Sequence, residues 1–156
     1  MTLVEMEREI KALIAQYAPA GTKFRWSTAV TRFGSCAYNR NRYTGECYNF
    51  RISISKPLAS RNDWETVKKT VIHEIAHART PMHHHDAVWR AECIRLGGDG
   101  NRCYRNTEQG GEVNTIPFKY IGTCPICGKQ FPRNRRTNGY HCDRNAAVVW
   151  VYNPAA

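Results

Sequence analysis

The stretch Val71-Ile72-His73-Glu74-Ile75-Ala76-His77-Ala78, with His83, His84 and His85 close behind it, decides how the chain reads. Two histidines four residues apart on an α-helix lie on one face, about one turn from each other. That spacing lets two imidazoles grasp a single Zn²⁺. Glu74, next to the first histidine, would aim a carboxylate at a water on the open side of that metal. The flanking residues support a helix. Asn62 or Asp63 can cap it, Trp64, Val67, Val71, Ile75 and Ala78 form an apolar stripe, and Pro81 disfavours helical geometry at Thr80.

Catalytic zinc takes three protein ligands and keeps one position for water. Residue type alone leaves the third ligand open. His83 follows His73 at the metzincin spacing, but Thr80 stands where that motif has glycine. Glu92 could act as a carboxylate ligand from inside the next helix. His85 would begin that helix, with Trp89 one turn later on the same face, whereas His84 has no supporting pattern. The next helix is expected to run from about His85-Asp86 to Gly97-Gly98. Its apolar positions would be Ala87, Val88, Ala91, Ile94 and Leu96, with Asp86 near its positive end.

Upstream, Thr2 and Glu5 have capping-box spacing. They precede Leu3, Met6, Ile10, Leu13, Ile14 and Tyr17 at helical intervals, and the helix should end near Pro19-Ala20-Gly21. Residues 24–36 read as extended structure. So do residues 46–55, where Tyr48, Phe50, Ile52 and Ile54 alternate with Asn49, Arg51, Ser53 and Ser55 until Pro57 ends the strand. Between them, Tyr38 to Gly45 reads as a hairpin loop. Centred on Asn41-Arg42, it would set Cys36 opposite Cys47. Its Tyr residues with Arg40 and Arg42 could grip single-stranded nucleic acid by stacking and charge, or form an ordinary exposed turn. Residues 99–118 show no periodicity and read as a wrapping loop or linker.

The tail changes character. Cys124-Pro125-Ile126-Cys127-Gly128 is a C-x-x-C-G knuckle, and Cys142 begins a second in which Asn145 takes the partner's place. A tetrahedral site needs four ligands. His141 could supply the fourth, Cys103 could fold back to do so, or the tail could hold no metal. Val148 to Tyr152 reads as a strand. Arg133, Arg135 and Arg136 make a basic run suited to nucleic acid.

Taken together, Phe33-Gly34-Ser35-Cys36, Ile52-Ser53-Ile54-Ser55-Lys56-Pro57, His73-Glu74-Ile75-Ala76-His77, His85-x-x-x-Trp89 and the cysteine tail resemble the SprT-like or Spartan-type zinc metalloproteases. The resemblance covers most of the chain. It implies an α+β, zincin-like domain: an N-terminal helix, a β-hairpin in a small antiparallel sheet, the H-E-x-x-H helix and a following helix. A zinc-ribbon-like extension would come after it. The implied domains are residues 1–118 and 119–156. In that family the third ligand is a histidine followed four positions later by an aromatic residue, which favours His85 over His83. The glycine that commonly follows this ligand is Asp86 here. The resemblance also implies one catalytic Zn²⁺, a second structural Zn²⁺ in the tail, and cleavage of DNA-associated proteins. Glu74 would take a proton from the attacking water and pass it to the leaving amine. The substrate would lie along an edge strand near residues 48–55. The alternative is a nucleic-acid-binding zinc protein whose hydrolase site is vestigial or highly restricted.

Charge is compatible with both. The 156 residues carry a net +10. Cationic residues outnumber acidic ones nine to four in 1–60 and eight to three in 101–156, and they balance at six each in 61–100. The basic excess thus flanks the histidine stretch, as expected for a polyanion partner such as DNA. No apolar run approaches a membrane span or a signal-peptide core, so the expected location is cytoplasmic, at the nucleoid if DNA is bound. Seven cysteines in a reducing compartment would be thiols or metal ligands rather than disulfides.

Overall fold

A computed structural model describes residues 1–102, 113 and 115–154. The chain forms two compact units, Met1–Thr115 and Ile116–Ala156. Cys103 and most of the linker read at 99–118 lie outside the described residues.

The first unit opens on α1 (Leu3–Tyr17). Thr2 accepts from the Glu5 N–H while Glu5 accepts from the Thr2 N–H, closing the capping box. Met6, Ile10 and Ile14 form its buried stripe. Residues 24–36 are two strands rather than one: β1 (Lys23–Ser27) and β2 (Gly34–Arg40). With β3 (Cys47–Ser55) they make a mixed sheet in the order β1-β3-β2, with β1 parallel and β2 antiparallel to β3. So β3 is the central strand, not an edge. That position explains why Ser53 and Ser55 are buried as well as Ile52 and Ile54. Each serine is satisfied where it sits: Ser53 accepts from Arg25 Nε, and Ser55 donates to the Ala29 carbonyl.

The hairpin is present, but its centre is shifted. Asn41 N–H donates to the Glu46 carbonyl, the register begins at Arg40↔Cys47, and a bulge separates Ala37 from Asn39. Cys36 therefore pairs with Ile52, not Cys47. The Asn41 side chain accepts from the Tyr43 and Thr44 N–H groups, so the turn forms later than Asn41-Arg42. Ser55 then caps the short α2 (Lys56–Ala59).

The central helix is α3 (Trp64–Arg79), capped by Asp63, which accepts from the Thr66 N–H. Val67, Val71, Ile75 and Ala78 are buried as the pattern requires, but so are Thr70, Ile72, Glu74 and Ala76. The helix packs against α1, β2, β3 and α4 (Ala87–Arg95), so far more than one stripe is covered. On α4 the expected apolar positions fail. Val88 and Ile94 are about half exposed, at 50% and 53%, and the buried pair is Trp89 and Cys93, packed with Ile72 and Ala76. Two large side chains one turn apart suffice to seat so short a helix.

Arg79 ties these elements together. It donates to the Tyr17 carbonyl at the end of α1 and pairs with Glu92 on α4. Arg95 donates twice more to Glu92, at 2.8 and 2.7 Å. Glu92 is thereby a structural carboxylate rather than a metal ligand.

The second unit is a three-stranded antiparallel sheet, β5-β4-β6, of β4 (Tyr120–Thr123), β5 (Gln130–Arg133) and β6 (Val149–Tyr152). Cys124, Phe131, Cys142 and Val148 form its small core. Gly122 is required there, because a Cβ would stand 2.5 Å from Val148 and 2.8 Å from Trp150. Among the described residues no helix is long and apolar enough to cross a membrane.

Arg95, then Arg79, hold the Glu92 carboxyl down to about 2. A depressed carboxyl stabilises the fold above its unfolded value, near 4.3, and loses that contribution as pH falls through its folded value. Glu92→Gln should therefore cost about 1 kcal/mol at pH 7. Urea unfolding should show the gap closing between about pH 4.5 and 2; a gap independent of pH would contradict this role.

Candidate metal centre

The histidine centre follows from how α3 ends. Thr80 closes the helix, and its carbonyl accepts from the His83 N–H across a turn with Pro81 and Met82 in the middle. Met82 takes the left-handed backbone (φ 74°) that the third residue of a proline-led type II turn requires. Tyr38 on β2 braces the turn by accepting from the Met82 N–H at 2.8 Å. His85 is also left-handed (φ 59°), which turns its ring back toward α3.

The result is convergence. His85 Nε2 lies 3.0 Å from His73 Nε2 and 3.0 Å from His77 Nε2. The Trp89 ring lies beneath all three, with centroids 4.7, 5.1 and 4.5 Å from His73, His77 and His85. Trp89 has no solvent exposure, so the imidazoles rest on a dry aromatic floor. His83 is drawn elsewhere: its Nδ1 meets Asp86 at 2.7 Å. The same Asp86 caps α4 through the Trp89 N–H and so fixes where Trp89 begins to pack. His84 is exposed. Glu92 is held in its arginine pairs.

Protonation favours the ligand form. Burial, then neighbouring histidines, hold His73 and His77 down to about 4, and burial also lowers His85. Neutral imidazoles are what a metal requires. His73 also bonds the backbone of Asn101 and His77 that of His83, leaving each Nε2 free to face the centre.

The donor set fits a divalent cation. Three nitrogens bound tetrahedrally at 2.0–2.1 Å would stand about 3.3 Å apart, close to the separations seen. Hydrogen bonding accounts for the contacts poorly, since one ring proton cannot serve both short contacts of His85 Nε2.

Glu74 is 6% exposed, and burial pushes its carboxyl up to about 8 against the pull of Arg32 and of a hydrogen bond from the Cys36 backbone. Its neighbour Gly34 makes room for it, since a Cβ there would lie 2.6 Å from Glu74 Oε1 and 2.9 Å from its Cγ. The Cys36 N–H thus holds Glu74 from the β2 side, in space that Gly34 leaves open. Sequence patterns flagged this strand without its purpose, because nothing in Phe33-Gly34-Ser35-Cys36 says which helix it faces.

The tail brings together Cys124, Cys127 and Cys142, whose sulfurs lie within 4.8 Å of one another. His141 is not among them; it is exposed and its Nδ1 meets the Gly139 carbonyl at 2.7 Å. Adjacent residues in extended chain point opposite ways, so His141 and Cys142 diverge. Arg40, Arg42, Arg133, Arg135 and Arg136 are all exposed. Arg42 stacks on Tyr43, Arg133 on Tyr140 and Arg136 on Tyr120, with 4.8, 5.9 and 4.9 Å to the ring centroids.

A profile of the SprT-like family matches residues 5–108. A search of curated proteins found none that matches the chain.

His85→Ala should lose one equivalent of zinc by elemental analysis, whereas His83→Ala should keep its full content. Full retention by His85→Ala would reverse the assignment of the third ligand.

Proposed function

The chain belongs to the SprT-like family, and from that premise we propose that it is a zinc-dependent metallopeptidase acting on DNA-associated proteins. The observation that supports this reading best is the buried carboxylate of Glu74, fixed from β2, one residue along α3 from His73. A purely structural metal site has no use for such a group. His73, His77 and His85 would hold the zinc. Zinc in such a site makes water acidic near pH 7 and polarises a carbonyl.

The remaining work falls to the chain. Glu74 accepts a proton from the attacking water and returns it to the leaving amine. Burial raises its affinity for protons, and a cation held by the three histidines would favour the ionised form that this step requires. The Cys36 N–H fixes its direction, in the space that the missing side chain at Gly34 leaves. With β3 central, the substrate is better placed along β2. That strand pairs only with β3 among the described residues, and it carries both the Glu74 contacts and the Tyr38 brace. An extended peptide would add to its free edge by backbone hydrogen bonds.

DNA as the partner is supported by the net +10 charge and by arginines laid on tyrosine rings. Charge draws the backbone, and the rings offer stacking surfaces to unpaired bases.

Cleavage of a DNA-binding protein should be stimulated by DNA and abolished by a chelator. Glu74→Gln should lower the rate by about 10²–10⁴-fold while zinc stays bound. Undiminished cleavage by that variant would overturn the mechanism, and tight DNA binding without any chelator-sensitive cleavage would favour the binding-protein alternative.

A further inference from the structure

The second cysteine turn differs from the first in a way that counting residues conceals. In the first, the Cys124 N–H donates to the Lys129 carbonyl, the Gly128 N–H returns to the Cys124 carbonyl, and Gly128 is left-handed (φ 69°). In the second, the Cys142 N–H donates to the Ala146 carbonyl, the Asn145 N–H returns to the Cys142 carbonyl, and Asn145 is left-handed (φ 58°). The second turn is one residue shorter. Asn145 therefore matches Gly128, and the residue matching Cys127 is Arg144. Both turns aim backbone N–H groups at their cysteine: those of Ile126 and Cys127 at Cys124 Sγ, and that of Arg144 at Cys142 Sγ, each at 3.4 Å. The turn position that holds Cys127 in the first turn is thus held in the second by a residue that stays protonated and cannot ligate.

The other three corners are prepared. Cys124 and Cys142 are buried, with Sγ atoms 3.2 Å apart, too far for a disulfide bond of about 2.05 Å. Three N–H groups, those of Ile126, Cys127 and Arg144, donate to the two sulfurs and fix their directions. Cys127 is exposed, so the centre is open toward solvent on that side. Nearby, Lys129 pairs with Asp143 at 3.1 Å, linking the two cysteine turns.

We propose that Cys124, Cys127 and Cys142 hold a divalent soft-metal ion whose fourth position is filled by a thiolate from outside the chain. Three thiolates and a divalent ion sum to one negative charge, while Lys129 is already paired with Asp143 at 3.1 Å. A fourth thiolate is chemically matched to a soft divalent metal. An incoming thiol gives up its proton to solvent as its sulfur binds. The source is either a small thiol or a cysteine of another polypeptide, including a second copy of this chain.

The test uses the full chain with His73→Ala, so that one equivalent of Co²⁺ loads at the tail, and reads the visible spectrum without added thiol. The expected starting spectrum is that of three thiolates. 2-Mercaptoethanol should convert it saturably to a four-thiolate spectrum in the monomer. Conversion that instead follows protein concentration, with a dimer in sedimentation, would assign the thiolate to a second copy. Arg144→Cys should give the four-thiolate spectrum outright and remove the response to thiol. Failure to bind Co²⁺ would overturn the proposal. So would a four-thiolate spectrum at the outset that Cys103→Ser reduces, since the fourth ligand would then be internal. These readouts are independent of peptidase activity and of the histidine centre.

Discussion

The indole of Trp89 lies within 5.1 Å, ring centre to ring centre, of His73, His77 and His85, and the histidine centre depends on that contact. Two of those imidazoles come from α3 and would share a face in any helix. The third arrives from a loop and must be held against them. A fully buried ring that each imidazole can rest upon does this by packing alone. Truncating so large a buried aromatic typically costs about 3–5 kcal/mol, so the floor is also a main anchor of α4. Asp86 sets it in place by capping the helix at the Trp89 N–H. The same carboxylate draws off His83, leaving His85 to face α3.

A second constraint acts from the sheet. Glu74 is a carboxyl in a nearly dry place, which is unfavourable unless something is gained from it. One backbone N–H on β2 defines its position, in space that a missing side chain leaves open. A cation among the three histidines would stabilise its charged form, so metal binding and ionisation of Glu74 support each other. The left-handed residues Met82 and His85 carry the accompanying backbone strain, and both belong to the loop that delivers the third imidazole.

Much of this was legible in the sequence because helical spacing maps directly onto faces. The capping box of α1, the limits of α3 and the pairing of His73 with His77 follow from local rules. The choice of His85 came from resemblance, since no local rule separates it from His83. What failed was what depends on neighbours. The regular alternation of β3 reads as a half-buried strand, and the edge position expected for substrate binding there fails because β1 covers its second edge. On α4 the apolar residues Val88 and Ile94 face solvent, because one tryptophan and one cysteine fill the available space. In the tail, linear counting set Asn145 against Cys127, and only the hydrogen bonds reveal that the turn is one residue shorter.

If α3 and the loop after it build one three-histidine zinc site on the Trp89 floor, anomalous diffraction at the zinc edge, from crystals of the zinc-loaded full chain, will locate the ion. The expected peak lies about 2.0–2.1 Å from the Nε2 atoms of His73, His77 and His85 together. A peak coordinated by His83 or His84 in place of His85, or none at these histidines, would contradict it.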